Sequence, residues 1–525
     1  MSGCSSVVEH NLAKVGVEGS NPFARSSFPL RSKMQTTRSG VCFAVSAFAA
    51  AVSIEFARLS KTFDLHATHR HVEAGAKTNG LGMLQRLDDT DAALIDRLQQ
   101  SAFNYFLKHT NPDNGLVADT SIEGVPCSIA AVGFALSSYT VGVERGWMTR
   151  AGAIERTLTT LRFFAGSHQG RERHASGYRG FYYHFLHMDT GHRAWNSELS
   201  TIDTTLLVAG MLTASAYFDR ADGDEQEIRD LAKVIYERID WHWALNKGET
   251  ICMGWKPASG FLHWRWQGYD EAVLLYTLAL ASPTHPIPQS SYDAFTSSYS
   301  WMLFGEQAYL YAGPLFIHFF SHAWIDFRGI QDRPMAARDW DYFRNTQVSI
   351  AVQRDYALRN PGHFVGYNKD VWGLSASDGP PPSRHMRGGR HPKVLGYAAR
   401  GAPLGPDDGT IAPWAALASL PFDRQAALDG TKALLETYPD LTYEGRFPGG
   451  FNPTVKTRRP EGWVDDRCVG IDQGLLVMTI ENDRSDFIWS LMRQSPVIRL
   501  GLERAGFTGG WLEQGEGTEA DRKTA

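Results

Sequence analysis

Cysteine is scarce in this chain: there are five among 525 residues, and no pair has the Cys-x-x-Cys spacing of a thiolate zinc site. Cys4 and Cys42 fall in the N-terminal leader, which leaves Cys127, Cys252 and Cys468, enough for at most one disulfide. A dense Lys/Arg stripe is also missing, and with a net charge of -5 nothing points to a nucleic-acid partner. The Gly388-Gly389 and Gly449-Gly450 pairs lack the strand-then-helix setting of a phosphate-cradling loop, so no cofactor is implied. Strand-like alternation is rare. No internal repeat is clean, which disfavours a solenoid. Histidine pairs do occur, His184 with His187 and His318 with His322, but no Glu follows His318 as a metalloprotease helix demands. They read as hydrogen-bonded pocket histidines, with no metal.

Bulk and pattern are what the chain does have. With 43% hydrophobic and 12% aromatic residues it can bury a large core in one or two domains. Helical spacing dominates: a first helix capped by Asp88 or Asp89, then Ser128 to Val143, Thr149 to Ala165, Ser200 to Phe218 and Glu225 to Trp241. Asp270 to Ala281, Asp339 to Leu358, Ile411 to Ser419, Asp423 to Tyr438 and Ile471 to Asn482 continue the series, and Cys252 to Trp266 reads as a short hairpin. About a dozen helices without a βαβ rhythm predict an all-α fold, an (α/α)6 toroid with long loops and one short β-hairpin. In such a ring the inner-helix ends and their loops converge on one cavity. The aromatic and charged content sits in those loops: Ser176 to Asn196, Trp255 to Trp266, Asn360 to Gly401 and Thr442 to Arg467.

The N-terminal region divides the chain further. Residues 1–33 have no amphipathic period and read as a spurious extension ahead of a true start at Met34. Residues 34–60 carry a short basic segment and the small-residue apolar stretch Val41 to Ile54, the pattern of a signal peptide and too short for a membrane span. A linker at 61–87, the main domain at 88–512 and a polar tail at 513–525 complete the expected organisation. A periplasmic or secreted bacterial protein is the expectation, with no stable membrane partner.

Acids placed inside apolar helical runs carry the chemistry. Glu198-Leu-Ser-Thr-Ile-Asp203 precedes Thr-Thr-Leu-Leu-Val-Ala-Gly-Met, and Gly268-Tyr-Asp270-Glu271-Ala precedes Val-Leu-Leu-Tyr-Thr-Leu. A carboxylate there needs partners, or its pKa rises. Paired acids in aromatic surroundings are what cleavage between sugars requires.

Several long motifs resemble one family. Gly180-Phe-Tyr-Tyr-His-Phe-Leu-His-Met-Asp, Trp195-Asn-Ser-Glu-Leu-Ser-Thr-Ile-Asp-Thr, Gly268-Tyr-Asp-Glu-Ala, Ser282-Pro-Thr-His-Pro and Gly313-Pro-Leu-Phe-Ile-His-Phe-Phe-Ser-His-Ala-Trp-Ile-Asp-Phe-Arg328 are similar, in order, to the glycoamylase-like family of bacterial proteins. Trp372-Gly-Leu-Ser-Ala-Ser-Asp378-Gly-Pro, Asp408-Gly-Thr-Ile-Ala-Pro-Trp414 and Gly470-Ile-Asp472-Gln-Gly continue the likeness, which covers roughly Asp88 to Leu512. The family includes the endo-β-1,2-glucanases of glycoside hydrolase family 144. The resemblance implies an (α/α)6 barrel, an inverting mechanism and a β-glucan oligo- or polysaccharide as substrate.

Inversion needs a protonated acid on one side of the scissile bond and an ionised base, holding water, on the other. Glu271 is assigned as the acid, because burial at the head of an apolar helix would raise its pKa against the opposing pull of the helix dipole. Asp270 reads as an N-cap. Asp472 is assigned as the base, kept charged by its own helix N-terminus. Glu198 and Asp203 are expected to bind glucose hydroxyls or orient an inner helix. Trp255, Trp264, Trp266, Trp324 and Trp372 are candidate stacking platforms; His322, Arg328, Asp378, Asp408 and Glu444 are candidate hydroxyl ligands. A non-catalytic glycan-binding protein, a transglycosylase or a glucosidase of another linkage on the same scaffold are the alternatives. Oligomeric state is not legible in the sequence.

Overall fold

The computed structural model describes residues 89–381 and 394–513. The expected extension, signal peptide and linker, most of the C-terminal tail and much of the basic Pro380–Arg390 insert lie outside the described residues.

Helices of two kinds alternate along the chain. One kind is buried nearly all round: α2 (Ile129–Glu144), α4 (Thr201–Tyr217), α6 (Val273–Ala281), α8 (Leu315–Trp324), α10 (Trp414–Ala418) and α12 (Gly470–Ser485). Every residue of α6, α8 and α10 is buried, which only an inner position allows. The other kind is amphipathic: α1 (Asp89–Lys108), α3 (Arg150–Gly166), α5 (Gly223–Glu237), α7 (Ser290–Thr296), α9 (Tyr342–Arg359) and α11 (Arg424–Thr437). On α5, for example, Ile228, Ala232, Ile235 and Tyr236 are buried at helical spacing. Six inner and six outer helices form an (α/α)6 toroid. Among the described residues α13 (Phe487–Arg493), α14 (Pro496–Ala505) and a last short turn, Gly510–Glu513, follow; α14 packs closely on α6, Gly501 against Thr277.

The inner ring packs backbone to backbone at one seam. A Cβ on Gly133 of α2 would stand 2.1 Å from the Leu206 carbonyl of α4, and one on Gly210 only 2.0 Å from the Gly133 carbonyl. Farther down, the barrel is plugged. Trp324 of α8 donates its indole N–H to Ser137 Oγ on α2 at 3.1 Å and packs 4.8 Å from the Phe134 ring, with Phe320 closing on the same ring. These contacts fill the barrel interior with side chains, and the inner-helix N-termini lie at its other end.

That other end is defined by how the helices start. Four of the outer helices are capped by side chains: Thr149, Asp222, Asp341 and Asp423 each accept from a first-turn N–H. Among the inner helices only α4 has such a cap, Ser200. Three of the rest hand first-turn N–H groups to neighbouring segments: Gly470 to the Asp119 carbonyl, Leu315 to the Leu374 carbonyl and Phe316 to Ser375 Oγ, all in loops, and Leu274 to Ser321 Oγ on α8. The loops therefore meet in a ring over the inner N-termini.

Short strands stitch this ring together. A five-stranded antiparallel sheet runs in the order β2 (Gly177–Tyr178), β3 (Phe181–Tyr183), β5 (Leu199–Ser200), β6 (Gly254–Lys256) and β7 (Gly260–Phe261). β1 (Cys127–Ser128) pairs with β4 (Phe185–Leu186), and Thr120 bridges to Val469 just ahead of α12. The single hairpin expected at Cys252 to Trp266 is thus part of a larger sheet. Cys127, Cys252 and Cys468 are buried and free.

Candidate active site

Glu271 lies in the turn ahead of α6, buried, with its carbonyl held by Ser321 Oγ at 2.8 Å. Burial pushes its pKa up to about 8; a bond from its own backbone N–H opposes this, and the charge of Asp203 adds to it. Its neighbour Asp270 accepts from the Ala272 N–H at 2.9 Å, and burial followed by the charge of Glu271 raises its pKa as well. Two adjacent carboxyls in this setting cannot both ionise cheaply, so a proton is retained at neutral pH.

Asp203 occupies the first turn of α4. The Ser200 hydroxyl bonds its Oδ2 at 2.5 Å while accepting from its backbone N–H at 3.2 Å, a reciprocal cap. His184, between β3 and β4, places Nδ1 3.0 Å from Glu198 Oε1 and Nε2 3.7 Å from Asp203 Oδ2. Burial alone would lower the His184 pKa, but Asp203 and Glu198 outweigh it and raise it. In return, the His184 bond and charge overcome the burial of Glu198 and lower its pKa.

Asp472, in the first turn of α12, anchors a second group of acids. Burial, then the charges of Asp119, Asp465 and Asp378, raise its pKa well above the carboxylate range. The expected pull of the helix N-terminus toward the ionised form is outweighed. Asp465 is pushed up to about 6 by burial, against the Arg467 guanidinium, whose Nε donates to its Oδ1 at 2.8 Å. Its Oδ2 is buried with no hydrogen-bond partner among the described residues. Arg467 also pairs with Asp378 at 3.0 Å. Asp119 acts on both His184 and Asp472, so the two groups share the loop ring at the inner N-termini.

Several expected ligands are placed elsewhere. Glu198 is fully buried and serves His184. Asp408 spends both oxygens on Arg400, at 2.6 and 2.9 Å, and on the Leu395 and Thr410 N–H groups, so it braces a loop. Trp266 is buried and donates to Thr201 Oγ1; Trp324 is the barrel plug; Trp372 is core. His322 is buried against Thr346, with burial pushing its pKa down to about 3, which keeps it neutral. Arg328 lies beyond the C-terminal ends of α8 and α12, the end opposite the acids, paired with Asp326 and Asp486.

Other expected residues do reach the loop ring. Trp255 stacks on Tyr178 in the sheet, 5.0 Å between ring centres, and Trp264 is exposed. Glu444 is exposed and held by Lys108 and Arg446, which pull its pKa down to about 2. Sequence reasoning reads His184 in Tyr-Tyr-His-Phe-Leu-His as a hydrogen-bonded pocket histidine without identifying its partners Glu198 and Asp203, and it misses Asp119, Asp465 and Arg467; Asp465 and Arg467 share the Trp463-Val-Asp-Asp-Arg run. Among the described residues no group of three or more His, Cys, Asp or Glu is arranged to hold a metal.

Residues 263–496 match the model of the glycoamylase family, described as putative glucoamylase. The chain is similar to the glycoamylase-like family. That span contains Glu271, Asp378, Asp465 and Asp472, whereas His184, Glu198 and Asp203 precede it. Over 451 residues the chain is 25% identical to the exo β-1,2-glucooligosaccharide sophorohydrolase (non-reducing end) of Parabacteroides distasonis. The match takes in 79% of this chain and 58% of that protein, so the chain spans little more than half the relative's length. A putative glucoamylase from Bacteroides uniformis is 28% identical with a TM-score of 0.70, covering 82% of this chain and all of that one. The endo-β-1,2-glucanase of Chitinophaga pinensis, solved with sophorotriose and glucose, shares the fold at 23% identity and a TM-score of 0.68, over 80% of this chain and 99% of that one.

Proposed function

We propose that this glycoamylase-like chain is a glycoside hydrolase that cleaves β-1,2-linked glucan with inversion, with Glu271 as general acid and Asp472 as general base. The observation that carries the reading is geometric: Glu271 is buried in the turn ahead of α6, where burial pushes its pKa up, and Asp472 is buried among further acids in the first turn of α12. A protonated acid delivers its proton to the departing glycosidic oxygen; a carboxylate across the cleft takes one from the attacking water. The burial and neighbouring charges that raise the Asp472 pKa oppose the ionised form a base needs, so the base role is tested directly by the activity of Asp472→Asn.

The linkage rests on the likeness to the Parabacteroides sophorohydrolase and on the family motifs. Endo action is carried from those motifs, and the products discriminate it from exo action: a ladder of oligosaccharides marks attack within the chain, sophorose alone marks attack from an end. Export to the periplasm or beyond belongs to the same proposal and is tested by N-terminal sequencing of the mature protein.

Purified protein is incubated with β-1,2-, β-1,3-, β-1,4- and α-1,4-glucans and the products are separated by chromatography. Reducing oligosaccharides from the β-1,2 substrate are expected, and Glu271→Gln should lower kcat by roughly 10²–10⁴-fold. Release from an α-1,4 substrate alone overturns the linkage. Near-full activity of Glu271→Gln overturns the acid assignment.

A further inference from the structure

Trp195 is half exposed, and its backbone is left-handed with φ 54°. Asn196 follows at φ 55°, and the Ser197 N–H donates to the Ala194 carbonyl at 2.9 Å. These are the marks of a tight turn whose two central residues both have positive φ, positions that favour Asn, Asp and Gly. Asn196 suits its place. Trp195 does not, since a bulky side chain adopts this backbone reluctantly.

The surroundings enforce it. Arg193 donates from Nε to the Ser197 carbonyl at 2.6 Å and from Nη2 to the Asn196 carbonyl at 2.7 Å, clamping the turn. Ala194 N–H donates to the Phe185 carbonyl at 2.8 Å, and Ser197 Oγ lies 3.3 Å from both the Phe185 N–H and its carbonyl. The indole rests 5.1 Å from the Phe185 ring, which in turn stacks at 3.8 Å on His184, the residue held between Glu198 and Asp203. A conformation that is costly, over-determined and adjacent to the acid cluster points to a presented surface.

We propose that the Trp195 indole is a stacking platform for a pyranose ring of the glucan chain, at the rim beside His184. A β-linked glucopyranose offers flat C–H faces, which match an open aromatic face, while its hydroxyls remain in water. The platform lies outward of the acids, so it is met by sugar units at a distance from the bond being cleaved. Longer chains therefore depend on it more than short ones. The inference rests on the proposed hydrolase site and names a binding residue within it.

Binding is measured by calorimetry on the full chain carrying Glu271→Gln, with β-1,2-linked gluco-oligosaccharides of increasing length, alone and combined with Trp195→Gly or Trp195→Phe. Glycine accepts the left-handed backbone, so Trp195→Gly is expected to leave the thermal unfolding midpoint undiminished while weakening the longer oligosaccharides roughly tenfold. Trp195→Phe keeps an aromatic face and should recover most of the affinity. Equal affinity of the Trp195→Gly protein and its parent for every length overturns the platform and leaves the hydrolase reading intact. A lowered midpoint together with lost affinity assigns Trp195 to packing and also overturns it. If the parent Glu271→Gln chain binds no gluco-oligosaccharide of any linkage, both readings fall.

Discussion

The negative charge of Asp203 raises the pKa of the Glu271 carboxyl. Asp203 is held in place by Ser200 and by His184, so the charge that helps keep the acid protonated is itself positioned. Charged groups near this pair are Asp270 beside Glu271, Glu198 and Asp119 around His184, and Lys256 near Glu198. His318 and His322 on α8 are buried and pushed down to about 4 and 3, so they carry no charge at neutral pH. Replacing Asp203 by Asn removes a like charge and lowers the Glu271 pKa. The basic limb of the kcat/KM profile should move toward lower pH. A uniform loss of rate with an unmoved limb would assign Asp203 to folding alone.

Asp472 responds in the same sense on the acidic side. Asp465 and Asp378 raise its pKa, and Arg467 sits between them. Asp465→Asn deletes one negative charge and leaves Arg467 in place, so Asp472 ionises at lower pH. The acidic limb of the kcat/KM profile should shift downward and the profile broaden. An acidic limb that does not move would detach Asp472 from the base role.

Much of this fold was legible because α2, α4 and α6 are long apolar runs that a surface helix would not carry, and because Glu271 and Asp472 each stand ahead of an apolar stretch. The sheet was not, since strands of two or three residues such as Leu199–Ser200 have no period to read. Helix α8 is harder to read as an inner helix, because His318 and His322 interrupt its apolar residues. Site residues failed for a different reason: a Trp or Asp in a glycine-rich loop looks the same whether it faces sugar or, like Trp324 and Asp408, a buried partner. His184 gains its meaning only from Glu198 and Asp203 on a separate strand and helix.

Glu271 also makes stability depend on pH. Its folded pKa of about 8 stands above its unfolded value, so the native state holds a proton that the unfolded state releases between them. Stability is fully present below the unfolded pKa and is lost as pH rises through about 8. Glu271→Gln keeps the neutral form at every pH. Its unfolding midpoint should exceed that of the wild type, and the gap should widen from pH 5 to pH 8. A constant gap would mean that Glu271 is not the group that titrates.

Arg400 and Asp408 form a fully buried ion pair whose remaining hydrogen bonds go to Ser377, Gly396, Leu395 and Thr410. Removing one partner strands the other charge away from water, at a cost of about 3–5 kcal/mol. Asp408→Ala should lower the denaturation midpoint strongly, read by urea titration, and any protein that remains folded should bind gluco-oligosaccharide like the parent. Both oxygens of Asp408 are already engaged, so no sugar hydroxyl reaches them. A stable Asp408→Ala protein with weakened sugar binding would return Asp408 to the cleft and reverse its assignment as a loop brace.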